Sequence, residues 1–294
     1  MGVLLALLAM ASFASNIILT RYAVARLPVE SGFYIVLAAN VLFPALIYPF
    51  ELAGRAAPGS WDWKGAGIFA LGGIIGTFLG RRLLFDTVHL LGPARASVFH
   101  STAPAFALVG AWLLAGERLG WYEIGLMVVV WLGLWFTQPR AGATQLTAAQ
   151  ARRGFIAGLL TVAGFGFGNV LRGIATRTWE EIFLGSAIAS VAALLCQVLV
   201  TRNWSRIGAQ LRAADRRAIG LYLACGVTTS LGSVFISAAM LRMEIALATL
   251  VVHTTPVLIF PVSVFILKNR EELTGRTLAG AALVLAGIAA LLLR

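Results

Sequence analysis

The sequence predicts an all-α integral membrane protein with ten transmembrane helices, arranged as two inverted five-helix repeats. Three observations support this fold class. The composition is too apolar for a soluble domain, apolar stretches of membrane-spanning length recur along the chain, and the two halves carry similar polar patterns at a constant spacing.

The composition excludes most soluble classes. Of the 294 residues, 60% are hydrophobic and only 12% are charged, and the mean hydropathy is +0.89. A soluble domain carries about 25% charged residues, so the surplus apolar surface must face lipid. The net charge of +11 comes from basic residues that flank apolar stretches, as in membrane proteins, and does not form a nucleic-acid-binding face. We therefore predict a lipid bilayer and no nucleic acid as partner.

Ten stretches have the roughly 20 mostly apolar residues that a spanning helix needs. They cover residues 2–22, 31–50, 65–85, 94–115, 121–138, 154–174, 181–201, 218–240, 245–267 and 275–293. The first stretch has no Lys or Arg before Arg21, so we predict a retained helix and not a cleaved signal. The connections are short, the longest being 139–153 and 202–217, and an even number of spans places both termini on one side.

The two halves repeat one polar pattern about 153 residues apart. Asn16 and Asn169 each follow a phenylalanine and small residues, and His100 and His253 each stand shortly before a proline. Because each repeat has an odd number of helices, the second repeat must enter the membrane inverted, which creates a site near the bilayer midplane. The predicted boundaries are 1–140 for the first repeat, 141–152 for a linker and 153–294 for the second repeat.

Three segments resemble the EamA family of the drug/metabolite transporter superfamily. They are SFASNIILTRYA, ARASVFHSTAPAFALVGAWLLAGERL and IALATLVVHTTPVLIFPVSVFILKNREEL, and the resemblance covers nearly the whole chain. It implies alternating-access transport of small metabolites, often amino acids and often outward, through a cavity lined mainly by spans 1, 3, 4, 6, 8 and 9. Two features depart from the family pattern: the two histidines, and an Arg81-Arg82 pair with no counterpart at Val234 in the second half.

Polar side chains inside spans are costly and usually face protein or water. The candidate substrate-binding residues chosen on this ground are Asn16, Arg81, Arg82, His100, Thr102, Asn169, Arg172, Ser233, His253 and Thr254. Pro104, Pro256 and Pro261 are candidate kinks because proline removes a backbone donor.

Arg81 and Arg82 are the most unusual of these residues. If the third span begins near Gly65, Arg81 lies about 24 Å along a core of about 30 Å. Arg82 can pair with Asp86 at i, i+4, which leaves Arg81 without a local counter-ion. One hypothesis is that an arginine binds a carboxylate or phosphate of the substrate. The alternative is an anchor that reaches the interface.

The asparagines and histidines also have two interpretations each. The amides of Asn16 and Asn169 can bind substrate or join helices by hydrogen bonds. His100 and His253 can relay protons or contact substrate, or they can be neutral and hydrogen-bonded to a neighbouring helix. Counted from the following proline, the two histidines differ by one position, so they need not face one cavity.

We predict an alternating-access transporter of small metabolites, more specifically an exporter of amino acids or similar amphipathic compounds, that is a monomer or homodimer. No nucleophile–base motif, phosphate loop or metal cluster is recognisable, so neither enzyme activity nor a metal or cofactor is predicted, and proton coupling is left open. The alternative is a non-transporting binding or assembly subunit on the same scaffold. The predicted location is the bacterial cytoplasmic membrane. The family resemblance implies cytoplasmic termini, whereas the excess of Lys and Arg on the opposite side favours external termini.

Overall fold

The computed structural model describes residues 1–54, 60–91, 96, 99–100, 102–118, 120–137, 147–255, 257–258 and 275–292, and the statements below concern these residues. Their regular secondary structure is helical. The helices are α1 (Gly2–Val24), α2 (Val29–Ala53), α3 (Trp63–Leu91), α4 (Ala103–Ala115), α5 (Trp121–Thr137), α6 (Ala148–Thr178), α7 (Ile182–Val200), α8 (Trp204–Ala213), α9 (Arg216–Met240), α10 (Ile245–His253) and α11 (Gly275–Leu292).

Six helices are long and apolar enough to cross a membrane: α1, α2, α3, α6, α7 and α9. Shorter apolar helices occur at Ala103–Ala115, Ile124–Phe136 and Leu278–Ala290, within three further predicted spans. The chain is therefore a multi-pass membrane protein embedded in lipid. Of the predicted span 245–267, residue 256 and residues 259–267 lie outside the described residues. The segment 202–217, expected to be a plain connection, contains the short helix α8, whose Asn203 side chain accepts a hydrogen bond from the Arg206 N–H.

Helix α1 runs antiparallel to α9. Gly2 lies against Arg242, the Asn16 amide reaches Thr229, and Arg26 pairs with Asp215 at 2.7 Å. The start of α1 therefore contacts the end of α9, and the end of α1 contacts the start of α9.

Helices α3 and α6 are also antiparallel. Gly65 lies against Trp179, Gly76 against Gly168, and Gly154 against Leu91. We call the end of the bundle with Gly2, Glu117 and Arg242 the terminal end. Because Arg177 bonds to the backbone of Met243 at that end, α1 starts at the terminal end whereas α6 finishes there.

Contacts of the first half recur in the second half at a spacing of 153 residues. Gly32 of α2 lies against the ring of Tyr222 in α9, and Gly185 of α7 lies against the ring of Phe69 in α3. Residue 185 follows 32 by 153 positions, as 222 follows 69. A side chain at either glycine would overlap the aromatic ring, so the close approach of each helix pair depends on glycine.

The largest buried apolar cluster joins α1, α4, α5, α6, α9, α10 and α11. Met240, Ile245 and Leu247 are among its fully buried members. This cluster holds the turn between α9 and α10 against α4 and α5, and it leaves the space between α3, α6 and α9 for polar residues.

Candidate functional site

A cavity of about 200 Å³ lies among the helices. It is smaller than the roughly 300–1,000 Å³ that holds a drug-sized ligand, so its size suits a small metabolite. Six predicted site residues line it: Arg81, His100, Asn169, Arg172, Ser233 and His253. None of its described lining residues is Asp or Glu.

The helices within two of the predicted spans, 94–115 and 245–267, are interrupted beside the cavity. Helical residues 99–100 are followed by a turn at Thr102 before α4, and α10 ends at His253 with a turn at Thr254. Pro104 therefore stands in the first turn of α4, where a missing backbone donor costs nothing. Pro256 and Pro261 lie outside the described residues. Interrupted helices in membranes are tolerated where the backbone lines a cavity.

The interruptions bring the two histidines together. The ring centroids of His100 and His253 are 5.2 Å apart, and the rings of His100 and Phe165 are nearly perpendicular with centroids 5.2 Å apart. Nδ1 of His253 lies 2.9 Å from the Thr249 carbonyl. Since a carbonyl only accepts, Nδ1 carries a proton, and Nε2 is the acceptor in the neutral ring.

Arg81 has no carboxylate partner among the described residues. Its guanidinium lies 5.2 Å from the centroid of the Phe33 ring, a cation–π contact. Arg81 comes directly after eight π-helical residues, Gly73–Gly80, and such segments frequently mark functional sites. Arg82 is exposed and is not among the lining residues, because successive helix residues differ by about 100° in direction.

Arg172 and Asn169 form a second polar group on α6. Arg172 donates one hydrogen bond to Ser233 Oγ at 3.2 Å, and a guanidinium has five N–H donors. Asn169 has no hydrogen-bond partner among the described residues. Both side chains therefore retain free hydrogen-bonding capacity toward the cavity.

Asn16 and Asn169 have different surroundings although their positions correspond. The Asn16 amide donates to the Cys225 carbonyl and to Thr229 Oγ1, each at 2.8 Å, and so joins α1 to α9. Thr229 corresponds to Gly76 at the 153-residue spacing, and Gly76 has no side chain to accept from Asn169. The Asn16 side chain is therefore hydrogen-bonded between two helices, whereas the Asn169 side chain faces the cavity.

Two other predicted residues do not line the cavity. Thr102 donates to the Phe99 carbonyl at 2.7 Å, and the buried Thr254 donates to Val251 at 2.6 Å and contacts the sulfur of Met10. Both hydroxyl groups therefore donate hydrogen bonds to backbone carbonyls near the helix interruptions and do not point into the cavity.

Sequence reasoning missed the contribution of α2 and α7. Asn40, Ser186 and Ser190 line the cavity. The buried Ser186 hydroxyl has no hydrogen-bond partner in the described part of the chain. The Asn40 amide nitrogen donates to Gly226 at 2.7 Å, which joins α2 to α9. Asn40, a lone amide in an apolar span, is a signal that sequence reasoning could have used.

The wall formed by α3 and α6 depends on glycine. A Cβ at Gly168 would lie 2.5 Å from Gly76 Cα, and one at Gly76 would lie 3.1 Å from Gly168 Cα. Backbones therefore touch where the two helices cross, as small-residue helix faces permit. This crossing sets the positions of Arg81 and Asn169, which line the cavity from either helix.

Glu117 ties several elements together at the terminal end. Gly116, at φ 67°, ends α4 in the left-handed conformation. The Glu117 carboxylate then accepts from the Ile245 and Ala246 N–H groups at 2.8 and 3.3 Å and pairs with Arg177 at 2.9 Å. A carboxylate is favourable at a helix N-terminus. We call these contacts the Glu117 latch.

Comparisons with known proteins place these features in a family. The model of the EamA-like transporter family matches residues 1–138 and 152–293. The pseudopaline exporter CntI of Pseudomonas aeruginosa strain UCBPP-PA14 is 29% identical over 242 residues, which is 81% of this chain and 78% of that protein. The exporter of the same name from strain PAO1 is 28% identical over the same shares.

A solved crystal structure supports the fold alone. It has a TM-score of 0.76 at 18% identity and covers 99% of this chain and 98% of its own. The family match extends over most of the sequence and confirms the predicted resemblance. The chain belongs to the EamA-like transporter family and is a membrane transporter.

Proposed function

We propose that the protein is an alternating-access exporter of a small amphipathic metabolite, such as an amino acid or a similar compound, with at least one anionic group. The observation that carries this proposal is the cavity with cationic but no acidic groups among its described lining residues. An unpaired guanidinium inside a membrane protein is costly. A substrate carboxylate would compensate Arg81 by two parallel hydrogen bonds.

We further propose that ten spans form two inverted five-helix repeats, with boundaries 1–140, 141–152 and 153–294. The opposite directions of α1 and α6 and the corresponding contacts at Gly32 and Gly185 support this architecture. The two ranges matched by the family model agree with it. In such a pair of repeats, one half rocks against the other around a fixed central site.

Outward transport is supported by the relatives named as pseudopaline exporters. The proposed location is the bacterial cytoplasmic membrane with both termini in the cytoplasm. The excess of basic residues around α8, including Arg206 and Arg212, favours the opposite orientation by the positive-inside rule. A fluorescent reporter fused after Arg294 decides this point: fluorescence supports cytoplasmic termini, and a folded but dark fusion contradicts them.

A ligand screen followed by flux measurement tests the function. Purified protein is first heated with a panel of amino acids and N-acylated amino acids, because a ligand of the folded state raises the unfolding temperature. Compounds that raise it are then tested for flux into proteoliposomes. We expect a stabilising compound to be transported, and transport to fall in Arg81→Gln but not in Arg206→Gln, which alters an exposed arginine of α8. Binding without flux would contradict transport and favour a non-transporting binding subunit.

A further inference from the structure

Arg81 and Arg172 enter the cavity at different heights. A Cβ at Gly72 would lie 3.5 Å from the backbone nitrogen of Arg172, so Arg172 stands level with Gly72 of α3. Arg81 comes nine residues later on α3, or up to about 13 Å further at the rise of an α-helix. The two arginines therefore approach the cavity from levels on either side of its middle.

The two cationic positions are chemically independent. Arg81 contacts the Phe33 ring, whereas Arg172 donates to Ser233, and no described residue contacts both guanidinium groups by hydrogen bond or ion pair. Neither has a carboxylate partner within the described part of the chain. One anionic group on a substrate would compensate one arginine and leave the other exposed to a low-dielectric surrounding, where an unpaired charge is unfavourable.

The described lining between the two arginines has no Asp, Glu or Lys side chain and no third arginine. Asn169 offers an amide that has no hydrogen-bond partner among the described residues, Ser190 and Thr77 add hydroxyl groups to the same lining, and Phe165 offers an apolar ring beside His100. Such a wall suits the middle of a molecule that is polar, uncharged and able to exchange hydrogen bonds, as an amide group is.

We propose that the transported substrate is a dianion, with one anionic group bound by Arg81, the other by Arg172, and an uncharged polar centre between them. This assignment rests on the proposed transport function and names its substrate class. It also explains why the cavity contains a second arginine without a matching acid: the substrate supplies both negative charges.

Two closely matched compounds test the assignment. N-Succinyl-alanine has a carboxylate at each end and an amide between them. N-Butyryl-alanine has the same chain length, with a methyl group in place of the second carboxylate. Binding of each compound to purified wild-type protein is measured by calorimetry, and flux is measured in proteoliposomes. A charge-assisted hydrogen-bond pair to arginine contributes about 10- to 100-fold in affinity, so we expect the dianion to bind at least tenfold tighter.

Single substitutions then assign each end. In Arg81→Gln and in Arg172→Gln, we expect the dianion to lose at least tenfold in affinity, so that it binds within about threefold of N-butyryl-alanine. One of the two variants should bind N-butyryl-alanine as the wild type does, because its single carboxylate uses only one arginine. Arg206→Gln, outside the cavity, should match the wild type with both compounds, and unfolding temperatures show that each variant is folded.

Three results would overturn the dianion assignment: equal wild-type affinity for both compounds, no binding of either compound, or an arginine variant that binds the dianion as tightly as the wild type. The flux data keep this outcome separate from the proposed function. If N-butyryl-alanine or another monoanion is transported and the dianion is not, the protein remains a transporter and only the two-anion assignment fails.

Discussion

Adding one methyl group at Gly168 should separate α3 from α6. A Cβ at this position would lie 2.5 Å from Gly76 Cα and 2.8 Å from Gly76 N, whereas ordinary van der Waals contact begins at 3.4 Å. The helices must therefore move apart by about 0.9 Å. Both obstructing atoms are backbone, so no side chain can rotate away. Overpacking of this kind costs about 1–3 kcal/mol, or about 2–10 °C in the unfolding temperature of a protein of this size.

Gly67→Ala is the matched control, since Gly67 is also on α3 but has no atom within 4 Å of a Cβ. Its unfolding temperature should be unchanged or slightly higher, because alanine favours helix over glycine by up to about 1 kcal/mol. Both variants are followed by tryptophan fluorescence during heating in detergent, and then by flux. Gly168→Ala should also lose substrate affinity because Asn169 and Arg172 move with α6. Equal stability of the two variants would refute the close crossing of α3 and α6.

The remaining predictions concern the Glu117 latch and the asparagines. Glu117→Gln and Arg177→Gln should each lower the free energy of unfolding by about 1–2 kcal/mol, since one partner is buried and the other is partly exposed. In a thermal double-mutant cycle, the double variant should lose less stability than the sum of the two single variants, because the shared ion pair is lost only once, and full additivity would refute the pair. Asn16→Ala should destabilise by about 1–2 kcal/mol through two lost hydrogen bonds. Asn169→Ala should leave the unfolding temperature unchanged but weaken substrate binding severalfold. If Asn169→Ala lowered the stability and Asn16→Ala affected only substrate binding, the structural role of Asn16 and the cavity-lining role of Asn169 would both be contradicted.

The membrane class follows from the sequence because apolar stretches of spanning length have few other physical solutions. The exact ends of the helices do not follow from the sequence. In the fourth span, the sequence predicts one helix over 94–115, whereas the structure places a turn at Thr102 and begins α4 at Ala103. The proline signal at Pro104 predicted a kink, but it could not show that the helix would restart there.

The meeting of His100 and His253 was within reach of the sequence. Counted from the following prolines, the residues differ by one position and need not face each other. Counted by the repeat, they are 153 positions apart, as are other corresponding contacts. The repeat spacing is the better guide because the packing of helix on helix, and not the proline, sets the direction of each side chain.

The small polar residues of the cavity could not be chosen from the sequence. Serines in membrane helices commonly bond to their own backbone, as Ser190 does to Ser186 at 2.8 Å. A serine that lines a cavity and one that packs between helices therefore look alike in a single sequence. The sequence also does not show whether Arg81 or Arg82 faces the cavity. This depends on the rotation of α3 about its own axis, which adjacent residues in the sequence do not determine.

Alternating access is tested most directly at Ser190, which lines the cavity from α7. Ser190→Cys is introduced after both native cysteines, Cys196 and Cys225, have been changed to serine. A membrane-impermeant maleimide is then applied to right-side-out and inside-out vesicles. Ser205→Cys, exposed in α8 at one end of the bundle, reports the sidedness of each preparation and should react from one side only.

We expect the thiol of the Ser190→Cys variant to react from both sides of the membrane in vesicles that are closed and actively transporting, because the central site opens to each side in turn. Labelling of this variant from a single side, in both vesicle preparations and with flux intact, would contradict a cavity shared by two rocking halves.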